Sequence, residues 1–213
     1  ILVGPAPLPV VTEPTVIDGT TQPGYSGAPI VELNGQNVDQ QVHLHRTGLY
    51  LVGGDSEVRG LVVNRFRNAA IRLGSDNQTQ QLQSPGGNVV QGNYIGTDVT
   101  GKAVFPLGFR GNGIEIYNSP DNLIGGATPA ARNVVSGNVL GIVATGTSTG
   151  IAEWQFATGN VIEGNFVGTD VTGAVALGNQ SVGVSMTGGG NVVRDNVVSG
   201  NGGGGISAGA TRT

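Results

Sequence analysis

The chain has 213 residues, 38% of them apolar and only 11% charged, with 39 glycines, no cysteine, one lysine (Lys102) and a formal net charge of −4. That is too apolar for a disordered chain, yet no apolar run approaches the roughly 20 residues a membrane-spanning helix needs. Without cysteine there are no disulfides and no thiolate metal sites, and the acidic balance gives nucleic-acid binding little electrostatic support.

Val, Ile, Thr and Gly outnumber the strong helix formers, which favours short strands joined by tight turns. Residues 1 to 14 carry Pro5, Pro7, Pro9 and Pro14 and read as an extended lead-in. The chain opens at Ile1 without a methionine or a signal-peptide pattern, so we expect a processed protein or a piece of a longer one. Thr15 to Gly19 is the first strand and turn. Pro29 to Gly35 is the second, after a loop over Gln22 to Gly27.

From Gly48 a pattern sets in. A short apolar strand recurs at Leu49, Ile71, Ile114, Ile142, Val184 and Ile206, with spacings of 22, 43, 28, 42 and 22 residues. The shortest spacing is the bare unit, and the longer ones are the same unit carrying loops. Two further strands lie in each unit. One follows Ser56, Asn88, Asn122, Asn160 and Asn191. The other begins at Leu61 and follows Asn93, Asn133, Asn165 and Asn196. Asn88 to Gly101 returns 72 residues later as Asn160 to Gly173, with ten of fourteen positions identical. Three strands in 22 residues leave no room for a crossover helix. Each unit is too small to bury its own apolar face, so units must stack. The fold expected is all-β, one solenoid domain of about seven coils over residues 1–213, each strand pairing with its equivalent roughly 4.8 Å away.

Stacking accounts for the asparagines. Asn88, Asn122, Asn160 and Asn191 fall at one position of successive coils, and Asn93, Asn133, Asn165 and Asn196 at another, where amides can bond along the axis. Val90, Ile95, Val135, Ile162, Val167 and Val198 share their face and should point inward. Gly92, Gly137, Gly164 and Gly200 should turn the corners.

The series Asn-x-Ile-x-Gly-Asn-x-Ile-Gly-Thr-Asp-x-Thr-Gly, then Gly-Asn, Gly-Ile and Arg-Asn-Val-Val-Ser-Gly-Asn, seen here in Gly92 to Gly101, Gly111 to Ile114 and Arg132 to Asn138, resembles the right-handed parallel β-helix repeat of large bacterial surface and secreted proteins. The resemblance extends over nearly the whole chain from Val16. It implies the pectin-lyase-like superfamily, whose members include polysaccharide lyases, glycoside hydrolases, tailspikes and adhesins. Their catalytic signatures do not occur in the sequence: there is no Gly-His-Gly, no Arg-Ile-Lys and no adjacent carboxylate pair.

The candidate site residues are few. Asp98 and Asp170 sit at equivalent positions two coils apart, roughly 10 Å, near the spacing of an inverting glycosidase pair. Because the whole Gly-Thr-Asp loop is duplicated, a structural Asx turn fits each better than an acid and a base of different roles. Tyr94 and Phe166 should face outward, either stacking on sugar rings or lying beneath those loops; Trp154 is a further aromatic candidate. Arg59, Arg65, Arg67 and Arg72 form a local basic run, of which Arg65 and Arg67 suit an acidic sugar, against the plainer reading of a charge-balanced surface. His43 and His45 lack a third ligand, so neither metal nor cofactor is expected.

Together these features favour a non-catalytic structural or adhesive module, extracellular or at a cell surface, that binds no nucleic acid and spans no membrane. The alternatives are a polysaccharide lyase or glycoside hydrolase, or a polysaccharide-binding wall. The last strand opens a new coil without a cap, so we expect self-association or further chain at that end.

Overall fold

The computed structural model describes residues 1–38, 46–75, 84–106, 108, 110–146 and 157–209. They form eighteen strands and one short 3₁₀ turn at Pro129–Ala131. The first sheet holds β1 (Val16–Asp18), β4 (Glu57–Arg59), β7 (Val89–Gln91), β10 (Leu123–Gly125), β13 (Val161–Glu163) and β16 (Val192–Arg194). The second holds β2 (Val31–Asn34), β5 (Leu61–Asn64), β8 (Tyr94–Ile95), β11 (Val134–Val135), β14 (Phe166–Val167) and β17 (Val197–Val198). The third holds β3 (Leu49–Leu51), β6 (Ala69–Leu73), β9 (Asn112–Tyr117), β12 (Ile142–Thr145), β15 (Val182–Thr187) and β18 (Gly204–Gly209). Every strand pairs in parallel with the strand three places on, so each turn of chain visits the three sheets once. This is a right-handed parallel β-helix.

It has six turns, with six strands in each sheet. The expected seven came from starting the unit at Leu49, which leaves a partial turn at either end. Counted from Val16, the same strands close into six.

The register puts like on like. Val58, Val90, Ile124, Ile162 and Val193 stack behind the first sheet. Val63, Ile95, Val135, Val167 and Val198 stack behind the second, and Ile71, Ile114, Ile142, Val184 and Ile206 behind the third. In the middle turns these side chains are fully buried, whereas Val193 and Val198 in the sixth turn are half-buried because no turn lies over them. One turn alone buries about four such side chains (Ile124, Val135, Ile142 and Ala144 in the fourth). At about 1.5–3 kcal/mol for each larger one, that does not offset fixing the backbone of at least twenty residues at about 1–2 kcal/mol apiece. Stability therefore rests on the stack.

The corners are set by backbone geometry. Gly92, Gly137, Gly164 and Gly200 all have left-handed φ, between 64° and 76°. At Gly164 a β-carbon would also lie 2.2 Å from the carbonyl oxygen of Gly126 in the turn below. The lead-in lies across the first turn. Leu2 bridges to Asn34 on the edge of β2, and Val11 bridges to Leu51 on the edge of β3, with Val3 buried beneath.

Candidate functional site

Most of the buried asparagines belong to three amide ladders. In the first, the backbone N–H and side-chain Nδ2 of Asn88 both donate to Oδ1 of Asn122, Asn122 does the same to Asn160, and Asn160 to Asn191, at 2.7–3.0 Å. Asn93, Asn133, Asn165 and Asn196 repeat the arrangement at the next corner, at 2.8–3.3 Å. A third ladder, which the sequence reading passed over, runs from Asn138 to Asn179 to Asn201 at the last corner. Its signal was there, in Ser136-Gly137-Asn138 and Ser199-Gly200-Asn201, but those tripeptides served only as repeat markers.

The two Gly-Thr-Asp loops are built alike. Asp98 Oδ1 accepts from the Thr100 hydroxyl at 2.8 Å and from the amides of Lys102 and Ala103 at 3.2 Å. Asp170 Oδ1 accepts from the Thr172 hydroxyl at 2.6 Å, the Thr172 amide at 3.1 Å and the Val175 amide at 3.2 Å. The Thr172 hydroxyl and these amides hold the Asp170 carboxyl below its ordinary pKa despite burial, which pushes the other way. Each loop closes on an antiparallel bridge, Thr97 to Val104 and Thr169 to Ala176. The loops also meet one another: the Val171 amide donates to the Gly101 carbonyl at 3.0 Å, passing over the intervening turn.

The outward aromatics lie under these loops. Tyr94 is 8% exposed and packs with Val62 and Val134, with Gly101 and Val171 above it. Burial first, and then the nearby Tyr25 phenol, raise its pKa. Phe166 is half-buried, with Gly173 against its ring and the Arg132 guanidinium 4.2 Å from its centroid. Neither ring presents an open face to solvent.

The arginines are not gathered into one patch. Arg59, on β4, pairs with Asp18 at 2.8 Å and Glu57 at 3.0 Å. Arg72, on β6 of another sheet, is buried with Glu115 3.7 Å away, between the rings of Tyr50 and Tyr117. Arg65 bonds to Gln36 and stacks 3.9 Å over Phe105, and only Arg67 of the four is well exposed. Trp154, His43 and His45 lie outside the described residues. Among the described residues, no three His, Asp or Glu side chains come together as a metal site.

One recess does assemble, at the corner between the first and second sheets. In the first turn this corner carries the loop from Gly19 to Ile30, and in the fourth the loop from Gly126 to Arg132. In the two turns between, it is only Gly60, or Gly92 with Asn93. The result is a notch two turns wide, roughly 10 Å. Thr20 and Tyr25 form one wall, Thr128 to Ala131 the other, and Arg59 and Gln91 line the floor, enclosing about 340 Å³. The notch continues into a smaller hollow of about 140 Å³ beside Tyr94 and Arg132. With Arg59 neutralised by Asp18 and Glu57, it offers a phenol, an amide and backbone groups rather than net charge. Comparison of the chain with protein-family models, with curated proteins and with solved structures finds no match.

Proposed function

We propose that this chain is a non-catalytic parallel β-helix module, structural or adhesive in role, of an extracellular or cell-surface protein. What supports the reading is the use its carboxylates are put to. Asp98 and Asp170 each cap their own loop, Asp18 and Glu57 hold Arg59, Glu115 faces Arg72, and Glu163 holds Arg194. A hydrolase or lyase needs an acid and a base turned toward one bond and free to exchange protons. Here the duplicated aspartates are tied down by the same short-range bonds. The resemblance of the repeat to bacterial surface proteins of the pectin-lyase-like superfamily supports the location. The test is to incubate the purified protein with acidic and neutral polysaccharides and follow new chain ends. No product is expected, and sustained product formation overturns the reading.

A second reading, polysaccharide binding without turnover, is favoured by the notch, whose width and neutral polar lining suit one extended sugar chain. Affinity electrophoresis against the same polysaccharides tests it. Retardation lost in Tyr25→Ala and Gln91→Ala supports the notch, and retardation unchanged in both removes it.

A further inference from the structure

The hollow beside the notch differs from it in chemistry. Gly92 and Ala130 line both, so the two form one continuous recess between the loop of the first turn and the loop of the fourth. Gly27 and Pro29 stand on one side of the hollow, Pro129 and Arg132 on the other, with Tyr94 of β8 and Val134 of β11 between them. Its lining is mostly polar and includes no carboxylate.

Arg59, Arg72 and Arg194 each face a carboxylate, whereas Arg132 faces none among the described residues. Its Nε donates to the Gly164 carbonyl at 3.0 Å, and its guanidinium lies 4.2 Å from the centroid of Phe166. The ring sets the plane of the fork and the carbonyl fixes one edge. Both Nη groups are left without a hydrogen bond among the described residues. Tyr94 supplies a second donor. It is 8% exposed, yet its hydroxyl has no hydrogen-bond partner among the described residues. Burial raises its pKa, so the phenol keeps its proton at neutral pH and can donate it to an acceptor. A pre-set guanidinium edge and a phenol thus border one small space.

We infer that this hollow is an anion subsite of the notch, bonded through Arg132 and Tyr94 to one sulfate ester or carboxylate on the sugar chain that the notch holds; this rests on the sugar-binding reading and narrows its ligand to acidic chains. Sulfate ester and carboxylate share the chemistry the site recognises. Each presents two oxygens to the guanidinium edge and a further lone pair to the phenol. The charge fits one such group. Arg132 brings a single positive charge, and Arg59 on the notch floor is already matched by Asp18 and Glu57. A phosphate monoester, with nearly two negative charges at neutral pH, is left only half compensated. The chain as a whole, at −4, gives polyanions no general attraction, so a preference for acidic chains has to come from a local site.

The experiment titrates the full chain calorimetrically, at fixed ionic strength, with a neutral glucan, its sulfate ester and its carboxymethyl ether. The readout is the ratio of acidic to neutral affinity, which a merely structural loss does not move. Wild type should bind at least one acidic derivative about tenfold more tightly than the neutral chain, and the two derivatives show which acid seats better. Arg132→Gln should bring the ratio to about one and Tyr94→Phe, which keeps the buried ring, should lower it several-fold; melting temperatures confirm that both fold. Methyl sulfate and acetate test the subsite without a chain, through saturable shifts of the Arg132 side-chain N–H signals. Neutral and acidic chains bound alike overturn the inference and leave the sugar-binding reading standing. An acidic preference that survives in both variants also overturns it. If none of the glucans binds while methyl sulfate still shifts Arg132, the sugar-binding reading has failed and the inference falls with it.

Discussion

Asn133→Ala removes one rung from the middle of a buried ladder. Asn133 is fully buried, and its Oδ1 is the acceptor for both the backbone N–H of Asn93 at 3.0 Å and the Nδ2 of Asn93 at 3.1 Å. Its own Nδ2 donates to the Val90 carbonyl at 2.8 Å and to Oδ1 of Asn165 at 2.9 Å. Alanine leaves two N–H groups of Asn93 without an acceptor in a dry interior, while Asn165 keeps one donor, the Asn133 backbone amide. At about 1–3 kcal/mol for each buried unsatisfied group, the loss is about 2–6 kcal/mol. The comparison variant is Asn196→Ala in the open sixth turn, where the amide that loses its acceptor, Asn165, lies one layer from solvent and water can take the place of the lost oxygen. It should cost about 1 kcal/mol or less. Urea unfolding of both, with the slope checked against wild type, measures the difference. Equal costs, or an Asn133→Ala cost below about 1 kcal/mol, would refute the view that the ladders are structural bonds without which buried amides are orphaned.

Val135→Asp places an unpaired carboxylate between Ile95 and Val167 in a fully buried column and should cost about 4 kcal/mol or more, read as loss of the cooperative melt. Gly164→Ala combines a φ of 68° with a β-carbon 2.2 Å from the Gly126 carbonyl and should cost about 2 kcal/mol or more, measured in the same way. Asp195 is the one corner of the first-to-second sheet series in which a residue other than glycine adopts a lone left-handed φ, 57°. Asp195→Gly should therefore be neutral or stabilise by up to about 1 kcal/mol, seen as a small rise in melting temperature.

The fold was legible because the side chains repeat with the turns. A column such as Ile71, Ile114, Ile142, Val184 and Ile206 can be found by spacing alone, and its asparagines follow from the same arithmetic. The count of turns was less secure, since Val16 and Val31 belong to a first turn that lacks asparagine at the ladder positions and so looks unlike its successors. The notch was harder to see for a different reason. It is made by what two turns lack, Gly60 and Gly92 between longer corners, and a motif search looks for residues that are present. The arginine run misled because neighbours in sequence are not neighbours on a solenoid: Arg59 and Arg72 belong to different sheets. Tyr94 and Phe166 do point outward, but the loops that fold back over them are set by long-range contacts such as Val171 to Gly101, which spacing does not reveal.

The claim that the duplicated aspartates serve the fold is tested most directly by following thermal stability against pH in wild type and in Asp170→Asn. The Thr172 hydroxyl and loop amides hold the folded-state pKa of Asp170 below its unfolded value, so the folded protein binds fewer protons as the pH falls through the carboxylate range. Its contribution is fully present above about pH 4 and is lost as the pH drops through the lowered folded value. Asp18, held down by Arg59, acts in the same direction and remains in the variant. The account predicts that wild type is the more stable at neutral pH and that the two curves converge in acid, because asparagine keeps the turn but has no proton to gain. Parallel curves, separated by the same amount at every pH or superimposed throughout, would contradict it.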